Sequence, residues 1–162
     1  MKTIQIKERN LSLTTNLLFR PNVAALIKVG PQFLGCIRTD LSGIQCMQGG
    51  IENGEFPEDA LHRELFEELG LLKGTYSIEH ASKIWRRYRW PSGIKFREGP
   101  QHLGQEQKWY LIEVPEFSSI DLQRSQGEFC ELKLLTVADL IQNIVSWKKP
   151  ILSDFCFELG LL

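Results

Sequence analysis

No stretch of this sequence stays apolar for the about 20 residues that a membrane helix requires, so a bilayer span is not expected. The first ten residues include Lys2, Lys7, Glu8 and Arg9 and lack the apolar core of a secretory signal. Cysteine is scarce. Cys36, Cys46, Cys130 and Cys156 lie far apart, form no CxxC pair and each have an apolar neighbour, as buried thiols do. That spacing argues against a zinc site or a disulfide framework and for a reducing cytoplasm. Charge of one sign is not in excess either. The formal net charge is -1 over 162 residues, so no molecule-wide basic field gathers nucleic acid. A polyanion must then be met by a local cluster or through metal ions. Repeats, low-complexity tracts and long Pro/Gly/Ser linkers are also missing. The length fits one compact domain, residues 1–162, with residues 1–19 as an N-terminal extension.

What is present reads as strands interleaved with helices, the pattern of an α/β layered fold. Leu17-Leu18-Phe19 suggests an extra edge element. Asn22 to Val29 is aliphatic and reads as a strand, and Gly30-Pro31 turns it into a hairpin partner at Phe33 to Ile37. Gly43 to Met47 is a further short run ending at Gly49-Gly50. The clearest helix begins at Pro57-Glu58-Asp59, an acidic, proline-bearing start. Its apolar face is Ala60, Leu61, Leu65, Leu69 and Leu72, with Gly70 as the C-cap. Ser82 to Trp90 alternates and reads as a strand with arginine on both faces. Residues 91–106 read as a long loop. Gln107 to Val114 and Leu132 to Thr136 read as strands, and Val137 to Val145 and Pro150 to Leu159 as helices.

The chemistry is concentrated on the first helix. Glu64, Glu67 and Glu68 stand at i, i+3 and i+4 and share one face. Like charges at this spacing repel by roughly 0.2–0.5 kcal/mol per pair, a cost that a divalent cation reverses. Magnesium takes carboxylate oxygens, keeps waters and bridges to phosphates. Three carboxylates beside a glycine turn therefore admit two readings: a solvated acidic face, or a magnesium–phosphate platform.

The wider segment Gly49 to Leu71 separates these readings, because it resembles the Nudix box: Gly, five residues, Glu, seven residues, then Arg-Glu-apolar-x-Glu-Glu-x-Gly-apolar. Gly49, Glu55, Arg63, Glu64, Leu65, Glu67, Glu68, Gly70 and Leu71 fill its fixed positions. The resemblance implies a Nudix α/β/α sandwich with a mixed β-sheet. It implies Glu64, Glu67 and Glu68 as metal ligands, the Gly49 carbonyl as a backbone ligand, and Mg²⁺ as cofactor with Mn²⁺ as a substitute. Glu55 and Arg63 match a structural pair that fixes the loop–helix geometry and keeps Glu55 ionised. Leu65 and Leu71 match core positions.

Further segments resemble one branch, the bacterial RNA pyrophosphohydrolases and asymmetric diadenosine polyphosphate hydrolases. They are Arg20-Pro21-Asn22-Val23, Gln48-Gly49-Gly50-Ile51, Trp85-Arg86-Arg87-Tyr88 with Pro91, and Gly104-Gln105-Glu106-Gln107-Lys108-Trp109-Tyr110. Glu128-Phe129 resembles a pair that supplies a fourth carboxylate. Val145-Ser146-Trp147-Lys148 resembles a segment that meets a nucleobase and the RNA backbone. Trp147 then either stacks a base or covers a helix end, and Lys148 and Lys149 either bind substrate or serve solubility. Arg20, Arg38, Gln48 and Lys108 are the phosphate-side candidates. With a dinucleoside polyphosphate as substrate, residues around Arg38, Tyr110 and Trp147 would clasp a second nucleoside rather than an RNA strand. Arg86, Arg87 and Arg89 are expected to pair with surface carboxylates. His62, His80 and His102 have no ligand spacing, and His62 is expected to face outward.

The expected activity is Mg-dependent removal of pyrophosphate from 5′-triphosphorylated RNA, a step in RNA decay in the cytoplasm. Glu64 or Glu128 would be the base, and Glu64, Glu67, Glu68 and Glu128 the catalytic carboxylates. The first alternative is asymmetric cleavage of diadenosine tetraphosphate to ATP and AMP. The second is a non-catalytic nucleotide- or protein-binding module. Such modules lose box carboxylates, whereas Glu55, Glu64, Glu67 and Glu68 are all here. The partner is a nucleotide or an RNA 5′ end, with no membrane, and a monomer is the favoured state. The chain departs from the branch at Cys46-Met47, where an aromatic and a proline are usual, and in its longer lead-in.

Overall fold

A computed structural model describes residues 18–40, 43–92 and 102–162. The sheet is built around β1 (Phe19–Val29), whose aliphatic run is buried on both faces, as a central strand of an α/β sheet must be. On one side β1 runs parallel to β7 (Gly104–Glu113), in register from Phe19 opposite Gly104 to Lys28 opposite Glu113. Its other side is shared. β4 (Met47–Gly50) pairs antiparallel with Asn22 to Ala25, and β2 (Gln32–Arg38) pairs with Lys28 and Val29. Beyond β2 lie β3 (Ile44–Gln45) on one edge and β8 (Phe129–Leu135) on the other. β5 (Ser77–Ala81) and β6 (Arg86–Arg89) both pair antiparallel with β7. The sheet is therefore mixed.

Alternation along β1 divides the core into two layers. Val23, Ala25, Ile27 and Val29 face α1 (Pro57–Leu69), while Ala24 and Leu26 face α2 (Val137–Asn143) and α3 (Lys149–Glu158). The result is an α/β/α sandwich. Pro57 opens α1 where no backbone donor is needed, and Gly70 ends it in the left-handed conformation at φ 63°. The N–H groups of Gly70 and Leu71 turn back onto the carbonyls of Phe66 and Leu65. A β-carbon on Gly70 would meet the Asp121 carbonyl oxygen at 2.1 Å, so the cap is also a packing site.

Several sequence expectations shift. Ala60, Leu61, Leu65 and Leu69 are fully buried, but Leu72 is exposed and Leu71 takes the last core place. The helix has ended by then, and the turn at Gly70 changes which side chain points inward. The strand expected over Ser82 to Trp90 is confined to β6, because Ser82 Oγ accepts from Trp109 N–H and donates to the Ile84 carbonyl in a local turn. β5 was not anticipated. β1 begins at Phe19 rather than Asn22, so the expected separate edge element merges into it, with Leu17 outside the described residues. β7 begins at Gly104, which shortens the expected loop, and residues 93–101 of that loop lie outside the described set. Most of the N-terminal extension does too. Three cysteines are buried, but Cys130 is exposed. His62 is half-buried, with Nδ1 2.5 Å from the Tyr76 hydroxyl, rather than facing outward.

Candidate functional site

Gly49 and Gly50, still paired with Val23 and Asn22 at the end of β4, line a cleft of about 990 Å³. Two glycines are needed because side chains crowd the strand from both sides. A β-carbon on Gly49 would lie 1.8 Å from the Glu64 carboxyl carbon, and one on Gly50 would lie 2.3 Å from an Arg20 guanidinium nitrogen.

The acidic wall comes from α1 and from the start of β8. Glu64 and Glu68 face inward and are buried, with 8% and 3% exposure. Glu68 accepts from the Gln48 backbone N–H at 3.2 Å and shares a hydrogen bond with Glu128. Burial raises the proton affinity of Glu68 well above a normal carboxylate, and the charges of Glu128 and Glu64 add to it. Glu64 is also raised, by burial against the opposing pull of Arg63. Two side chains hold this wall in place. Arg63 makes a fork to Glu55, Nε to Oε1 at 2.9 Å and Nη2 to Oε2 at 2.8 Å, and reaches the Gly50 carbonyl at 2.8 Å. The fork keeps Glu55 ionised, its hydrogen bonds to Arg63 outweighing burial. Arg38 donates to Glu128 and to Asp40.

The basic wall belongs to the other helical layer. A 3-10 turn at Ser146–Lys148 carries Lys148 into the interior at 6% exposure. Its Nζ donates to Gln45 Oε1 at 2.6 Å and Gln48 Oε1 at 2.8 Å. Both acceptors are neutral, and burial lowers the ammonium pKa to about 8. A chain of amides supports it. Gln107 Nε2 donates to Asn22 Oδ1 at 2.8 Å and Gln48 Oε1 at 3.0 Å, and Gln107 Oε1 accepts from Trp109 Nε1. With two donors on its oxygen, the Gln48 amide has one allowed orientation.

Gly49, Glu64, Glu68 and Glu128 therefore meet Arg20, Arg38, Gln48, Trp147 and Lys148 around one cleft. Three expected site residues stand elsewhere. Glu67 accepts from Arg63 Nη1 at 3.2 Å and does not line the cleft. Tyr110 is 3% exposed in the core beneath α1, because alternation along β7 points even-numbered residues to that layer. Lys108 shares that parity, and its Nζ donates to the Ser82 carbonyl at 2.7 Å. Asn22, Gln45, Tyr88, Trp90 and Gln105 line the cleft without having been singled out. Asn22, Tyr88 and Gln105 sit inside quoted motifs, where parity along their strands was the available signal. Gln45 and Trp90 carried none. Arg86 pairs with carboxylates as expected, one of them exposed Asp154, but is itself buried. It is 7% exposed and bound to Asp154 at 2.6 Å and Glu158 at 2.7 Å, and Arg87 pairs with Glu106 at 3.0 Å.

The donor chemistry fits a hard divalent cation. The Glu128 charge adds to the raised proton affinity of both Glu64 and Glu68, and Glu64 adds to that of Glu68, a repulsion that a cation among them relieves. Among the described residues, no three ligating side chains already close into a cage. An acidic pocket facing a buried ammonium and two arginines defines a domain suited to polyphosphate ligands with their cation.

Comparison with known proteins agrees. A family model for the NUDIX domain matches residues 18–155, and the chain belongs to that family. The RNA pyrophosphohydrolase of Actinobacillus succinogenes is 36% identical over 138 residues, 82% of this chain and 70% of that protein. Its counterpart in Aliivibrio fischeri strain MJ11 is 34% identical over 137 residues, 82% of this chain and 81% of that protein. Among solved structures, the E. coli dihydroneopterin triphosphate pyrophosphohydrolase superposes with a TM-score of 0.69 at 18% identity, covering 86% of this chain and 98% of its own. A binary complex of the C. elegans Ap4A hydrolase superposes with a TM-score of 0.62 at 18% identity, covering 87% and 99%. At those identities the two structures speak to the fold.

Proposed function

We propose that this chain hydrolyses phosphoanhydride bonds of nucleotide 5′-polyphosphates with magnesium, and that its main reaction removes pyrophosphate from 5′-triphosphorylated RNA. The observation that carries the reading is the opposition, across one cleft, of the Glu64/Glu68/Glu128 carboxylates to the Lys148 ammonium and the Arg20 and Arg38 guanidiniums. The RNA substrate is the one for which the Actinobacillus and Aliivibrio relatives are named.

Glu64, Glu68 and Glu128 and the Gly49 carbonyl would hold the cation, with Glu67 on the same helix as a further carboxylate. Bound there, magnesium neutralises phosphate charge and lowers the pKa of an attacking water. The protein's own part is positioning and proton handling. Lys148 has spent two of its three donors on Gln45 and Gln48, which leaves the third for a phosphoryl oxygen. Arg20, stacked on Gly50, and Arg38, steadied by Asp40, clamp the charge that develops on the phosphates. A carboxylate, Glu64 or Glu128, accepts the proton of the water, and a raised proton affinity suits Glu64 to that task. Trp147, half-buried on the rim, offers a ring to a base.

The test offers 5′-triphosphorylated RNA with Mg²⁺ to the protein and to its Glu68→Gln variant. The expected result is pyrophosphate release and a 5′-monophosphate end, slowed about 100-fold or more in the variant. No turnover, or a variant equal to its parent, would leave a binding module instead.

A further inference from the structure

We infer that strand β6 guides RNA, with Arg89 and Arg87 binding backbone phosphates of the strand that leaves the cleft. This rests on the RNA reading of the cleft. A chain of net charge -1 has no overall field for a polyanion, so RNA beyond its 5′ end needs a local row of cations. β6 supplies one. Among the described residues it pairs only with β7, so it forms an edge of the sheet. Arg87 and Arg89 are exposed and alternate with buried Arg86 and Tyr88. Arg87 binds Glu106, its partner in register on β7, so the two guanidiniums lie on the face of the sheet away from Tyr88. Neither is locked in place. Arg87 is 57% exposed, and its link to Glu106 is a surface ion pair, which a phosphate exchanges readily. Its guanidinium also lies 5.3 Å from the Phe19 ring centroid, which holds it over the sheet. For Arg89 the expected carboxylate partner is absent among the described residues.

The strip is continuous with the cleft. Tyr88 and Trp90 both line the cleft, and Arg89 stands between them in the chain. A strand that leaves the cleft past Trp90 therefore crosses the unpaired edge of β6 and meets Arg89 first and Arg87 next. Two residues of extended chain set these side chains about 7 Å apart on one face. Successive phosphates of an extended single strand match that step. Trp85, exposed just before β6 in the chain, adds an aromatic ring to the row, and stacking rings beside backbone-binding cations are how single strands are held. A free nucleotide ends inside the cleft and does not reach β6. The strip thus favours an RNA end over a nucleotide by charge alone, without reading sequence.

The test compares a triphosphorylated dinucleotide with a triphosphorylated single strand of about 12 nucleotides, a length within the range that single-strand sites cover. Binding is measured by fluorescence anisotropy in Ca²⁺ over a NaCl series, and turnover in Mg²⁺. The proteins are the parent, Arg87→Ala/Arg89→Ala and Arg87→Lys/Arg89→Lys. The parent should prefer the longer strand. The alanine pair should lose about ten-fold on that strand and nothing on the dinucleotide, and its salt slope should fall by about 1.4, the value for two phosphate contacts on a single strand. The lysine pair should keep most of the preference. A parent that treats both lengths alike overturns the track. So does an alanine pair that weakens both substrates equally, which marks a structural role, or one that leaves the salt slope unchanged, which frees the strip for a protein partner. If the preference and its loss appear in Ca²⁺ but neither RNA turns over in Mg²⁺, the track stands and the hydrolase reading falls. Turnover of both RNAs with no effect of the variants leaves the hydrolase and removes the track.

Discussion

Lys148 is charged where burial is nearly complete and where both hydrogen-bond acceptors are amides. Burial disfavours its charged form and lowers its pKa to about 8, from an ordinary 10.5. Between those values the unfolded chain binds more protons than the folded one, so stability rises as pH climbs from about 8 to 10.5. Activity should move the other way. Above about pH 8 the free protein loses the cation that meets the phosphate, and kcat/KM should fall. In Lys148→Met this alkaline limb should vanish, with kcat/KM about 100-fold lower throughout and thermal stability at pH 7 equal to or above the parent's. A limb that persists in the variant would assign it to another group. The sequence left Lys148 between a substrate role and a solubility role, because nothing in Ser146-Trp147-Lys148 shows that the turn folds inward. Glu67 is the reverse case. Its spacing marks it as one of three equivalent carboxylates, but it does not line the cleft, although Arg63 Nη1 binds it at 3.2 Å as it binds Glu64 at 2.7 Å.

Elements with a strong period were legible, and short ones were not. α1 has an apolar face, a proline start and a glycine stop, and only its last apolar member was misplaced. β5 is five residues long, alternates between exposed and half-buried, and carries a bulge between Ile78 and His80, so no run of apolar residues marks it. The charged cluster that joins β6 to α3 was also hidden, because Arg86 and its partners are 68 and 72 residues apart. There the Arg86 guanidinium lies 5.4 Å from the Phe155 ring centroid and binds Asp154 and Glu158, while His80 Nε2 and the Lys83 N–H also reach Glu158. Burial pushes the Glu158 carboxyl up, but these hydrogen bonds outweigh it and hold its pKa at about 2. A depressed carboxylate stabilises the fold above its ordinary 4.5 and loses that contribution as pH falls toward 2. Glu158→Gln should therefore cost about 3 kcal/mol at pH 7 and flatten the acid side of the melting-temperature profile. An unchanged slope between pH 4.5 and 2 would show that α3 is held by its apolar face alone.

At the scale of the whole molecule, a net charge of -1 conceals strong segregation. The sandwich brings Glu64 and Glu68 from one helical layer, Glu128 from the edge of the sheet and Lys148 from the other layer to a single opening. The box predicted the helix carboxylates, and the resemblance of Glu128-Phe129 predicted the fourth. That the acidic and basic groups face each other depends on strand order, which the sequence does not display. The same separation makes the site a property of the folded state. An unfolded chain spreads these carboxylates over 65 residues and binds a cation weakly, so a cation that fits should stabilise the native form by mass action. At 100 times its dissociation constant the gain is about 2.7 kcal/mol, which for a domain of this size raises the melting temperature by about 5–10 °C. MgCl₂ should give this shift over NaCl of equal ionic strength, EDTA should reverse it, and Glu68→Gln should lose most of it. A shift that NaCl reproduces would mean that the clustered carboxylates are relieved by general screening and that their convergence does not select a divalent ion.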